Sequence, residues 1–86
     1  MDQNPFIDAF AYYTTIRYTI NGHGPYRSTH CRINVTVMDC MALLASGANI
    51  LDVTVEREPD KPIVYTLSKF LEVAELMRIG NEENRL

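Results

Sequence analysis

Two stretches near the start of the chain alternate with a period of two. Residues 12–20 (Tyr-Tyr-Thr-Thr-Ile-Arg-Tyr-Thr-Ile) and 27–37 (Arg-Ser-Thr-His-Cys-Arg-Ile-Asn-Val-Thr-Val) are dense in β-branched and aromatic residues, and each reads as a strand. Between them Asn21-Gly22-His23-Gly24-Pro25 supplies turn residues, so the pair is predicted to form a hairpin. The alternation assigns Tyr12, Thr14, Ile16, Tyr18 and Ile20 with Cys31, Ile33, Val35 and Val37 to a core face. Tyr13, Thr15, Arg17 and Thr19 with Ser28, His30, Arg32, Asn34 and Thr36 are expected on the opposite, polar face.

The period then changes. Thr36-x-x-Asp39 fits a capping box, and Val37, Met38, Met41, Ala42, Leu44 and Ala45 recur at helical spacing, so a helix is predicted over 37–46 with Gly47 as its left-handed stop. Leu51, Val53 and Val55 alternate with Asp52, Thr54 and Glu56, and the turn residues of 58–62 lead into Ile63-Val64-Tyr65, a second and shorter hairpin. Thr66 or Ser68 can cap a last helix over 67–79, with the stripe Leu67, Phe70, Leu71, Ala74 and Met77, and Gly80 beyond it. Asn4-Pro5 can open a helical turn that brings Phe6 and Phe10 to the sheet, and residues 81–86 are expected to fray. The order ββαββα predicts an α+β domain over residues 1–80: a two-layer fold with a four-stranded, mainly antiparallel sheet and both helices on one face.

Length and composition narrow the function. At 86 residues there is one domain and one small core, and 47% apolar with 22% charged residues is ordinary globular composition. The longest charge-free run, Cys40 to Leu51, is too short for a membrane span. Asp2 and Asp8 with no base before Arg17 are the wrong charge for a signal or transit peptide, so a soluble cytoplasmic protein without membrane contact is expected. Cys31 and Cys40 are too few for a disulfide scaffold and read as reduced thiols. With His23 and His30 they lack the close ligand pairs of a metal site, and no cofactor is implied. A position in the first turn of a helix would lower the pKa of Cys40.

The net charge of −3 is unevenly spread: Ala9 to Met38 contain three arginines and no acid, whereas nine acids and five bases follow from Asp39 on. A nucleophile needs a positioned base, yet His23 sits in a glycine-rich turn and His30 on a strand with no carboxylate in its hairpin. Asp52 and Glu56, four residues apart on a strand, are about 13 Å apart, too far for paired-carboxylate hydrolysis. No enzymatic activity is expected. The preferred reading is a small binding protein, regulatory or inhibitory towards a protein partner or a homodimer. Its surface would be the helical layer, through Leu43, Leu76 and Ile79 with the acids Glu72 and Glu75. The alternative is single-stranded nucleic acid bound by the basic hairpin over 12–37, with Tyr13 stacking on a base and Arg17, His30 and Arg32 meeting phosphates.

Overall fold

A computed structural model describes residues 13–57 and 61–84, with the side chains of the last helix described to Arg78. The elements follow in the predicted order: β1 (Tyr13–Ile20), β2 (His23–His30), α1 (Ile33–Ala45), β3 (Asn49–Glu56), β4 (Ile63–Tyr65) and α2 (Leu67–Asn84). The expected turn around Asn4-Pro5 lies outside the described residues.

The four strands form one antiparallel sheet in the order β2-β1-β3-β4. β2 and β3 therefore run parallel on either side of β1, and α1 is the crossover between them. It packs on β1, β2 and β3, while α2 packs on β3, β4 and α1, so both helices cover one face. Among the described residues no element covers the other face. Ile16 and Val53, opposite each other on the central strands, meet Ile33 and Cys40 of α1 and Phe70 and Ala74 of α2 in the buried core. Thr36 is also fully buried and its hydroxyl donates to the Arg32 carbonyl at 2.9 Å, whereas the equally buried Thr14 hydroxyl finds no partner among the described residues.

The first hairpin is tighter than the turn cluster suggests. Asn21 and Gly22 both take positive φ (52° and 80°), the backbone of a two-residue type I′ turn, and Ile20 pairs directly with His23. The register then slips by one residue between Tyr18 and Ile20, where Gly24 and Pro25 of β2 together stand opposite the single Thr19 of β1. Gly24 is required there: a Cβ would stand 2.9 Å from the Tyr26 nitrogen and 3.1 Å from the Tyr18 oxygen. A one-residue slip exchanges the two faces of a strand. Tyr26, Ser28 and His30 consequently lie opposite Tyr18, Ile16 and Thr14 on the helix side, and Arg27 and Thr29 take the open side. This reverses the facing expected for Ser28 and His30.

α1 begins at Ile33, inside the stretch read as strand. No side chain caps it, and Thr36 bonds back to Arg32 from within the first turn instead of forming a capping box. Its far end follows the expectation. Gly47 has φ 91°, the Ala48 N–H reaches the Leu43 carbonyl at 2.9 Å and the Gly47 N–H reaches Leu44 at 3.1 Å, the two bonds of a Schellman motif. α2 is capped by the Thr66 hydroxyl, which accepts from the Lys69 N–H at 3.1 Å, and it continues through Gly80 to Asn84 instead of ending near residue 79. Glycine permits a stop, but no proline follows to impose one.

This packing predicts two opposite outcomes in denaturant titrations. Phe70→Ala, at the centre of the core, is expected to cost about 3–5 kcal/mol. Met38→Ala, on the solvent side of α1, should stay within about 0.5 kcal/mol of the parent. A large loss at Met38 would mean that α1 is rotated as its apolar periodicity first suggested.

Candidate functional site

α1 is apolar almost all round: its sequence INVTVMDCMALLA contains one charged residue, Asp39. With so little polar contrast, periodicity alone does not say which side meets the sheet. A polar contact does. Asp39 Oδ2 accepts from the Ser28 hydroxyl at 2.6 Å and lies 2.6 Å from His30 Nε2, both on edge strand β2. Holding Asp39 against β2 turns Ile33, Thr36, Val37, Cys40 and Leu43 towards the core. Leu43, expected on a docking surface, is partly buried and packs against the core. Of the helix stripe read as core only Val37 packs inward: Met38 is 69% exposed, Met41 50% and Leu44 41%, with Ala42 and Ala45 also exposed, and Val35, expected on the core face of a strand, is 38% exposed.

On α2 the candidates Glu72, Glu75 and Leu76 are all exposed and recur at i, i+3 and i+4, so they share one side of the helix. Leu76 is exposed, but Glu72 is paired with Lys69 Nζ at 3.3 Å, and Glu75 takes Arg78 Nη2 at 2.6 Å and Nε at 3.1 Å. The Arg78 hydrogen bond holds the Glu75 carboxyl below its ordinary pKa. Each acid is thus matched by a base one turn away, and α2 presents no unbalanced acidic strip through these two residues. Ile79 lies within the helix, its side chain outside the described ones.

Ser28, His30 and Asp39 bring together the residue types of a hydrolytic triad in a different geometry. In a triad the imidazole bridges, one nitrogen to the carboxylate and the other to the hydroxyl. Here Asp39 Oδ2 and Ser28 Oγ both approach His30 Nε2, at 2.6 and 3.1 Å, and the Ser28 proton is directed at Asp39. The carboxylate can only accept, so Nε2 carries the proton and is not a base towards Ser28. The cluster works as a clamp between β2 and α1. The Ser28 bond first, and then His30, hold the Asp39 carboxyl below its ordinary pKa, against a smaller opposing effect of burial. Cys40, next along the helix, is fully buried, and burial with the Asp39 charge pushes its thiol up to about 11. This is the reverse of activation at a helix N-terminus. Cys31 is exposed, and neither thiol is in a disulfide. Among the described residues no three His, Cys, Asp or Glu side chains converge as metal ligands, and no helix is long and apolar enough to cross a membrane.

The open sheet face carries Tyr13, Thr15 and Arg17 of β1, flanked by Arg27 and Thr29 of β2 and by Asp52, Thr54 and Glu56 of β3. Of the four residues expected to contact nucleic acid, only Tyr13 and Arg17 share it. His30 points to the helices and Arg32 is the residue before α1. Arg17 is engaged by Asp52, its Nε lying 3.1 and 3.2 Å from the two carboxylate oxygens and Nη2 also on Oδ2. That bond raises the Arg17 pKa. Arg27, opposite Arg17, is the open-face cation that sequence reading overlooked, because the slip at Gly24-Pro25 could not be seen in the residue pattern. The outer face of α1 was overlooked for a different reason. The signal was present: a 13-residue helix with one charge leaves apolar residues in solvent whichever way it turns.

No family model matches the chain, and neither the curated proteins nor the solved structures include one that matches it.

Two measurements check this geometry. A carboxyl with a depressed folded pKa stabilises above its unfolded pKa, and that contribution is lost as pH falls through the folded value. Asp39→Asn should therefore be less stable than the parent at pH 7 by about 1 kcal/mol, a low value for charged hydrogen bonds because the side chains of Asp39 and His30 remain 26% accessible. The gap should narrow below about pH 4. In thiol labelling of the native protein, Cys31 should react promptly and Cys40 only on unfolding. Equal rates would place Cys40 outside the core.

Proposed function

We propose that this protein is a non-enzymatic binding module that docks an apolar protein surface on the outer face of α1. One observation carries the reading: Met38 and Met41 stand on the solvent side of α1, 69% and 50% exposed, with Val35 and Leu44 exposed at its opposite flanks, Asn34 the polar residue beside them and no charge among them. Isolated exposed apolar residues are ordinary, but a contiguous patch on the order of 400 Å² is the usual mark of an interaction site. Methionine suits the role, because its flexible, polarizable side chain adapts to a partner's contours. Protein interfaces are enriched in methionine and depleted of charge at their centres, which matches this face. Two free cysteines suit a reducing compartment, so the cytoplasm is the proposed place of action.

Leu76, on the solvent side of α2, is a separate candidate and serves as the comparison. Immobilised protein should capture a partner from a lysate, and Met38→Glu should weaken capture at least tenfold with the circular dichroism spectrum unchanged. Capture unchanged by Met38→Glu would overturn the reading, and loss on Leu76→Asp alone would move the surface to α2. Retention of a single-stranded oligonucleotide at low salt, abolished by Arg27→Glu, would favour the open sheet face instead.

A further inference from the structure

Beyond the docking face of α1, we infer that the free edge of β2 takes up an extended peptide of another protein as an added strand, with an acidic residue opposite Arg27 and apolar residues on either side of it. The sheet ends on one side in β4, three residues long, and on the other in β2, eight residues long. β2 pairs with β1 alone, so every second residue along it turns its N–H and C=O outward, and among the described residues no backbone group meets them. Pro25 has no N–H to offer, which leaves 26–30 as the usable length.

Charge selects the occupant. Residues 23–32 hold His23, Arg27, His30 and Arg32 and no acid. His30 is held by Asp39, whereas Arg27 and Arg32 are exposed and in no ion pair among the described residues. Arg27 also stands directly opposite Arg17 on the open face, and like charges across a strand pair repel. Asp52 relieves Arg17 from β3. An acid on a strand beyond β2 would relieve Arg27 in the same way and complete an alternation of charge across the face. A second copy of this chain is a poor occupant, because its β2 brings no acid to Arg27. Proline, a register slip and a cation are devices that keep an edge from pairing with its own kind, so a matching strand must bring the opposite charge. The helix side supplies the apolar half of the pattern. Strand residues alternate, so the neighbours of the acid share the helix side with Tyr26 and Ser28. Tyr26 is 45% exposed there, and Val35, one turn before Asp39 on the flank of α1 turned to β2, is 38% exposed. Main-chain hydrogen bonds would supply affinity and these alternating contacts specificity.

The test titrates a fluorescein-labelled peptide of about nine residues, alternating glutamate and valine, with the full chain at pH 7 and low salt, read by fluorescence anisotropy. Saturable binding below roughly 500 μM is expected, with hydrogen exchange slowed at amides within 26–30. A peptide alternating lysine and valine should bind at least fivefold more weakly, and Arg27→Glu should reverse that preference. If Arg27→Glu does not fold, Arg27→Gln, which keeps a long polar side chain without the charge, should still weaken binding of the glutamate peptide. Met38→Glu, on the α1 face, should leave binding unchanged, so this edge and the α1 docking face stand or fall separately. No binding up to that limit, equal binding of the two peptides by the parent, or protection confined to other elements overturns the inference. Protection of 26–30 that rises with protein concentration without peptide also overturns it, by assigning the edge to a second copy.

Discussion

The Asp39 carboxylate, gripped by Ser28 and His30, is the contact on which the rest of the molecule's surface depends. A helix as uniformly apolar as α1 could lie on the sheet in several rotations at similar hydrophobic gain, since Met38, Met41 and Leu44 are as suited to a core as Ile33, Val37 and Leu43. The charge breaks this near-degeneracy. Burying Asp39 without partners would be costly, and leaving Ser28 and His30 unsatisfied on the helix side of the sheet would add to that cost. With Asp39 turned to β2, the small residues Thr36 and Cys40 meet the sheet and the methionines face water. The polar clamp thereby selects which apolar residues remain outside.

The clamp depends in turn on a backbone irregularity. Ser28 and His30 reach the helix side because the register slips at Gly24-Pro25; continuing the register of Ile20 and His23 would present Arg27 and Thr29 there instead. Gly24 is tied to this by its φ of 125° and by the closeness of the Tyr18 and Tyr26 backbone. A chain of causes thus runs from one glycine, through strand register, to the facing of a histidine, the rotation of a helix and the composition of an exposed surface. The slip also sets Arg27 beside Arg17 on the open face, where Asp52 engages Arg17 from β3. It makes that face close to balanced in charge, with Glu56 opposite Tyr13.

The same geometry explains why a serine, a histidine and an aspartate close together do not form a hydrolytic arrangement. Such a triad needs the imidazole between the other two groups, and here the carboxylate is the common partner of both. The cluster orders structure, and Cys40 behind it is sealed in the core with a raised pKa. Beyond the clamp, the described residues leave exposed a sheet face of threonines and charged residues edged by Tyr13 and Val64, and a helix side on which Asn34 stands among methionine, leucine, valine and alanine.

Sequence was sufficient for the architecture. Alternation over 12–20 and 51–56, the turn residues around Asn21-Gly22, the Gly47 stop and the Thr66 cap are local signals, decided by dihedral preference and nearest-neighbour hydrogen bonds, and they point to the ββαββα order. They also define most of the core, including Ile16, Val53, Phe70 and Ala74. That α1 must leave apolar residues in solvent is legible in its sequence, but which residues these are was out of reach of local signals. Whether His30 faces in or out turns on one surplus residue in a strand, whose pattern of Ser, Thr and Arg is equally acceptable either way round. Whether Met38 is core or surface turns on a contact between residues 28, 30 and 39, which the fold brings together from a strand and a helix. Local preferences are strong enough to build elements, but the rotation and register of one element on another differ by only a few polar contacts, and only the assembled tertiary structure can decide them.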